Sequence, residues 1–238
     1  LPSSFDKAIE KYSWDTLKKY GYVPYQIMVM KDKLTQAFRN QDKDSILFYA
    51  ADLGHYIGDA NVPLHTTLNY DGQLTNQHGL HGLWESMIPE LEMETYNLYN
   101  GHKAQYLRNP MREVQKALQR AHKLVPDMLE KERTVTISFT DSTKYRYQMR
   151  NGRQSRSYTS GFAKAYANQL KPTINQQLLH SASMIADFWY TAWVDAGKPD
   201  LSNLFKSSTE KQASLASEME AYKSNRLITD NLLEAKKK

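Results

Sequence analysis

The sequence predicts a mainly α-helical protein carrying one small β-hairpin near residues 145–158. Three observations predict it. Apolar side chains recur every three to four residues along most of the chain, as a helix with one buried face requires. The stretch "KYRYQMRNGRQSRSY" departs from that rhythm, setting Asn151-Gly152 between tyrosine-containing runs with rough alternation, a hairpin signature. No internal repeat and no linker divides the chain. Residues 1–205 are therefore read as a single helical domain, followed by a polar, helix-prone tail over 206–238 that ends in Lys-Lys-Lys.

Phe5, Ile9, Tyr12 and Leu17 define a first amphipathic segment, closed near Gly21. A second begins near Pro24, a residue tolerated in a first helical turn, and carries Ile27, Met30, Leu34, Ala37 and Phe38. A third starts near Asp42 and runs through Ile46, Tyr49, Ala50, Leu53 and Ile57. It stops before Pro63, because the residue preceding a proline avoids helical geometry. Residues 66–79 read as a loop, with a turn signal at Asp71-Gly72. A helix restarts near Leu80 and runs towards Tyr99, another covers roughly 110–133, and "TVTISF" is a third candidate strand ahead of the hairpin. Long helices return over about 160–196.

The 238 residues suffice for a sizeable core, and no apolar run approaches the ~18 residues of a membrane span. Cysteine is absent, which excludes disulfides and thiolate ligands, so any metal must be held by nitrogen and oxygen. No signal peptide is visible and the first residue is Leu1, so an upstream segment is expected. The net charge of +5 is unevenly placed: residues 142–186 contain no acid, yet include Lys144, Arg146, Arg150, Arg153, Arg156, Lys164 and Lys171. Such a stretch is either a solvated face or a peripheral contact for anionic membrane surfaces or nucleic acid.

The scarce histidines are the strongest signal. Of seven in the chain, four (His55, His65, His78, His81) fall between residues 55 and 81. His55 and Asp59 stand four apart on a predicted helix, so their side chains share a face, and His81 and Glu85 repeat the spacing on the next. His65 follows the helix-breaking proline. Either pair alone is an ordinary surface pair. Two such pairs bracketing Pro-x-His can surround a borderline metal ion, and His₂Glu is a ligand set that zinc accepts. His78 lies in the loop and fits the pattern less well.

The run H-x₃-D-x₃-P-x-H, a loop, then H-x₃-E, from "HYIGDANVPLH" to "HGLWE", resembles the zinc-dependent phospholipase C family. That family shares its fold and trinuclear zinc site with the fungal and plant single-strand nucleases. "FWYTAWVDAGKPDL" at 188–201 is similar to the closing helix of some bacterial members. The nucleases typically carry Gly-Gly-Asn in the loop and end the motif with aspartate. "NYDGQLTNQHG" and Glu85 favour the phospholipase branch.

The resemblance implies that His65, His81 and Glu85 hold one zinc. It implies that His55 and Asp59 serve a neighbouring zinc pair, Asp59 bridging it in a catalytic role. The family completes that pair with an N-terminal tryptophan and with upstream His and Asp ligands, the Asp as general base. No histidine precedes His55 and Leu1 is not that tryptophan, so those ligands are expected upstream. The implied activity is hydrolysis of a phosphodiester, in a phospholipid headgroup or a nucleotide, by a secreted or periplasmic protein. Tyr56, Tyr70 and Trp84 are either substrate-stacking or core residues. The competing class is a non-catalytic helical domain stabilised by zinc at His65, His81 and Glu85 alone.

Overall fold

The computed structural model describes residues 2–150, 152–170, 172–204 and 209–233, so Leu1, Asn151 of the predicted turn and the terminal Lys-Lys-Lys lie outside the described residues. In chain order the elements are α1 (Phe5–Tyr12), α2 (Trp14–Tyr20), α3 (Val23–Asn40), α4 (Lys43–Ala60), a 3₁₀ turn (Pro63–Thr66), α5 (Leu80–Gly82), a π-helical turn (Leu83–Met87) and α6 (Ile88–Glu92). There follow a second 3₁₀ turn (Met93–Thr95), α7 (Pro110–Thr136), α8 (Asp141–Lys144), β1 (Tyr145–Arg150), β2 (Arg153–Tyr158), α9 (Ser160–Leu170), α10 (Thr173–Asp195) and α11 (Thr209–Lys223). The fold is mainly α with one antiparallel hairpin, in which Tyr145 faces Tyr158 and Arg150 faces Arg153. No described helix is long and apolar enough to cross a membrane.

Local chemistry explains the boundaries. Asp42 caps α4 by accepting from the backbone N–H groups of Asp44 and Ser45, and the helix ends at Ala60, ahead of Pro63. Three expectations are corrected. The first amphipathic segment is two helices, because Ser13 at φ +64° closes α1 and its hydroxyl caps α2. The helix from Leu80 ends at Glu92 rather than near Tyr99: side chains of Asn175 and Asn225 take up the backbone N–H groups of Asn97 and Leu98.

The predicted strand "TVTISF" is instead the end of α7 and a turn. Val135 is buried in a helical core, while the hydroxyls of Thr134 and Thr136 donate to the carbonyls of Glu130 and Glu132. Packing overrides the β preference of this β-branched run. Ile137 is left exposed.

The chain forms two compact units that interleave in sequence. The first comprises Leu1–Asn61, Gly101–Arg120 and Leu178–Ala216. Its core joins Ile27, Met30 and Leu34 of α3 to Leu53 and Ile57 of α4, the start of α7 through Val114, and the end of α10 through Phe188. The second comprises Val62–Asn100, Ala121–Gln177 and Ser217–Lys238. Its core gathers Leu64, Leu80, Leu83, Trp84 and Ile88 around Met128, Tyr158, Phe162 and Tyr166. Each fully buried aromatic such as Phe162 contributes about 2–3 kcal/mol by leaving water. The hairpin's open end, Tyr145 and Tyr158, is buried in this core, whereas Tyr147 and Met149 towards the turn are exposed.

Candidate metal centre

Three short elements of the second unit carry the site. The turn Pro63–Thr66 is pinned by Leu64, fully buried, which leaves the neighbouring His65 facing outward. α5 begins after Gly79, whose φ of +90° admits the chain reversal, and presents His81 one residue after buried Leu80. Glu85 lies in the π-helical turn. Pro89 has no N–H to offer the Glu85 carbonyl and its ring crowds it, so the helix widens there. Turns of this kind recur at functional sites.

His65, His81 and Glu85 converge, each offering a ligand atom within 4.8 Å of the others. The Nε2 atoms of His65 and His81 lie 3.3 Å apart. Glu85 Oε2 is 2.7 Å from His81 Nε2 and 3.5 Å from His65 Nε2. On a tetrahedral zinc with bonds of ~2.1 Å, donors stand about 3.4 Å apart. The 3.3 and 3.5 Å from His65 Nε2 to its two neighbours match this, while the 2.7 Å between His81 and Glu85 is a hydrogen-bond distance. The side chains are 25%, 32% and 37% exposed, so solvent and a ligand reach the cluster.

The tautomer of His81 is set from behind. Its Nδ1 lies 3.1 Å from the Tyr70 carbonyl oxygen, which can only accept, so Nδ1 carries a hydrogen and Nε2 is turned to the cluster. So close an approach of His65 Nε2, His81 Nε2 and Glu85 Oε2 needs a positive charge among them, either a proton on a ring nitrogen or a shared metal ion. The two imidazoles, His65 first, hold the Glu85 carboxyl well below the usual carboxylate range. The Glu85 carboxylate, outweighing partial burial, raises the pKa of His81. The chemistry of the donor set therefore fits a metal ion.

His55 and Asp59 belong to the first unit. They face each other along α4 with His55 Nε2 3.5 Å from Asp59 Oδ2, and the His55 side chain is 69% exposed. Tyr56 packs against the first core with its ring tilted against His55. Trp84 is buried in the second core, which removes it as a stacking surface, whereas Tyr70 is exposed. His78 is exposed in the loop.

Sequence reasoning missed the groups that brace the cluster. Asp71, read only as a turn residue, accepts from the backbone N–H groups of Gly79 and His81. Gln77 is anchored in the second core by Glu132, fifty-five residues away. His122 Nδ1 contacts the carbonyl oxygen and hydroxyl of Thr66, beside His65. Nothing in the sequence points to Glu132 or His122.

The family model of the S1/P1 nucleases matches residues 5–191, which spans the whole cluster, and the chain belongs to that family. Comparison with curated proteins and with solved structures gives no match. Nucleases cleave phosphodiester bonds, which places the chain among phosphodiester hydrolases. The match names the nucleases and gives no support to the phospholipase C branch, towards which the loop and Glu85 pointed.

Proposed function

From membership of the S1/P1 nuclease family, we propose that the protein is a zinc-dependent phosphodiesterase acting on nucleic acid, in which His65, His81 and Glu85 hold one zinc. The observation that carries this is the convergence of those three donors in a chain whose family match spans them. His55 and Asp59 are proposed to serve further zinc, with Asp59 as the bridging carboxylate. A location outside the cytoplasm is proposed with it.

Bound there, zinc would supply a Lewis acid that acidifies water and neutralises charge on phosphoryl oxygen. The chain's own groups do the rest. The Tyr70 carbonyl keeps the Nε2 lone pair of His81 directed at the cluster. Glu85 stays ionised in the presence of the two imidazoles and so brings a negative charge to the ion. Partial exposure of all three side chains leaves room for a phosphate ester to enter. The exposed ring of Tyr70 is proposed as an apolar face for a base, since Trp84 is enclosed.

The test compares the wild-type full-length protein with His81→Ala. Bound zinc is measured beside turnover of single-stranded DNA, bis(p-nitrophenyl) phosphate and phosphatidylcholine. Loss of one zinc and of DNA hydrolysis in the variant supports the proposal. Zinc retained without hydrolysis of any of the three substrates by the wild type favours the non-catalytic domain. Hydrolysis of phosphatidylcholine but not DNA restores the phospholipase reading that Glu85 suggested.

A further inference from the structure

The loop between His65 and His81 closes on itself where the Gln77 N–H donates to the Gly72 carbonyl at 2.8 Å. Gly72 has φ +75°, and a Cβ there would stand 2.3 Å from the Gln77 carbonyl oxygen, so only glycine permits this approach. Gln77 is 2% exposed, and its side-chain amide donates both ways, to the Leu129 carbonyl and to Glu132 Oε2. Its own Oε1 is buried with no partner among the described residues. Burying an unpaired carbonyl is unfavourable, a penalty that a leucine or methionine filling the same space would avoid. Gln77 is therefore held for its two donors.

The acceptor is unusual too. Glu132 is 1% exposed, and its charge is balanced by Lys144 Nζ at 2.7 Å. The Tyr158 hydroxyl donates to Glu132 Oε1 at 3.1 Å and lies 3.3 Å from the Gln77 carbonyl oxygen. Lys144 also lies over the rings of Tyr145, Tyr158 and Phe162 at 5.0–5.7 Å. A buried ion pair is weak support for stability in general, and its best-attested use is to fix one arrangement among alternatives. Here it fixes Gln77. Through the Gly72–Gln77 closure the same anchor places Tyr70 and Asp71, which hold the ring nitrogen and the backbone N–H of His81.

We propose that Gln77, anchored by the Glu132–Lys144 ion pair, is a positioning residue that sets His81 for metal. This rests on the zinc reading above. Zinc affinity is measured by competition with a chromophoric chelator on the full chain, and the binding step lost in His81→Ala identifies the site. Gln77→Met, which keeps volume but removes both donors, is expected to weaken that step about tenfold to hundredfold. Leu170→Ala, a core truncation in the same unit, is expected to lower thermal stability at least as much while leaving the step unchanged. In the cobalt-loaded protein, the visible ligand-field bands of Gln77→Met are expected to shift, and those of Leu170→Ala to stay. Equal zinc affinity in wild type and Gln77→Met, or equal losses in the two variants, would overturn the proposal. Absence of any step sensitive to His81→Ala would instead overturn the zinc reading. Should Gln77→Met fail to fold, Glu132→Gln with Lys144→Met removes both buried charges together and carries the same expectation and refutation.

Discussion

Two imidazole–carboxylate pairs share one spacing and differ in everything else. His55–Asp59 sits on regular α4 at 3.5 Å, with a histidine side chain 69% exposed. His81–Glu85 meets at 2.7 Å where a helix widens into a π turn, with His65 as a third donor and the Tyr70 carbonyl behind the ring. Spacing alone puts both groups on one face. What equips a face to hold a metal is the loop that returns to fix the tautomer and the neighbour that adds the third donor.

The largest expected effect tests whether the pairs differ in role as well as geometry. Glu85→Gln should remove one zinc per chain, because an amide gives the two imidazoles no charge partner. Asp59→Asn in the full-length protein should remove more than one if Asp59 bridges, because a bridging carboxylate serves two ions. Turnover of bis(p-nitrophenyl) phosphate should fall at least a hundredfold in both. Metal analysis of both variants beside that assay is the measurement, and equal loss of a single zinc would refute the bridging role of Asp59.

A smaller effect isolates the bracing of the second pair. Asp71→Ala removes the acceptor for the N–H groups of Gly79 and His81 and should weaken zinc binding about tenfold. Asp71→Asn, which keeps an acceptor oxygen, should recover part of it. Gly72→Ala should destabilise the metal-free protein by about 1–3 kcal/mol, read from denaturant unfolding, since the new methyl meets the Gln77 carbonyl. A neutral result would mean that the loop has another closed form.

The smallest effect concerns the helix of the first pair. The Ser45 hydroxyl and the capping N–H groups lower the pKa of Asp42 below its ordinary value of 3.8. A depressed carboxylate contributes stability above its unfolded pKa and loses it as pH falls through the folded one. Asp42→Asn should keep the cap near neutral pH yet flatten acid destabilisation below about pH 4, followed by circular dichroism. An unchanged acid limb would show that the cap does not couple to unfolding.

Much of this was legible beforehand because it is local. The helical stripes of α3 and α4, the stop before Pro63 and the strands flanking residue 151 follow from residue types at short separations. The donor set His65, His81 and Glu85 was implied by the family resemblance of the pattern that carries it. Errors arose where a local preference met a distant partner. "TVT" has β-branched chemistry but ends α7, since Val135 belongs to the second core. Residues 96–99 leave the helical rhythm because Asn175 and Asn225 bond their backbone.

By itself, then, the sequence determined where most helices begin and which imidazole and carboxylate share a helix face, since both depend on side chains within one or two turns of each other. Only the tertiary structure decided that His65 and His81, sixteen residues apart, would meet nitrogen to nitrogen. It also decided which nitrogen of His81 would carry the hydrogen, and that Gln77 would be held by a carboxylate fifty-five residues away. Those outcomes need a loop closed at a loss of chain entropy and a charge buried beside its counter-charge. No short-range propensity encodes either, because both are offset only by the core that forms around them.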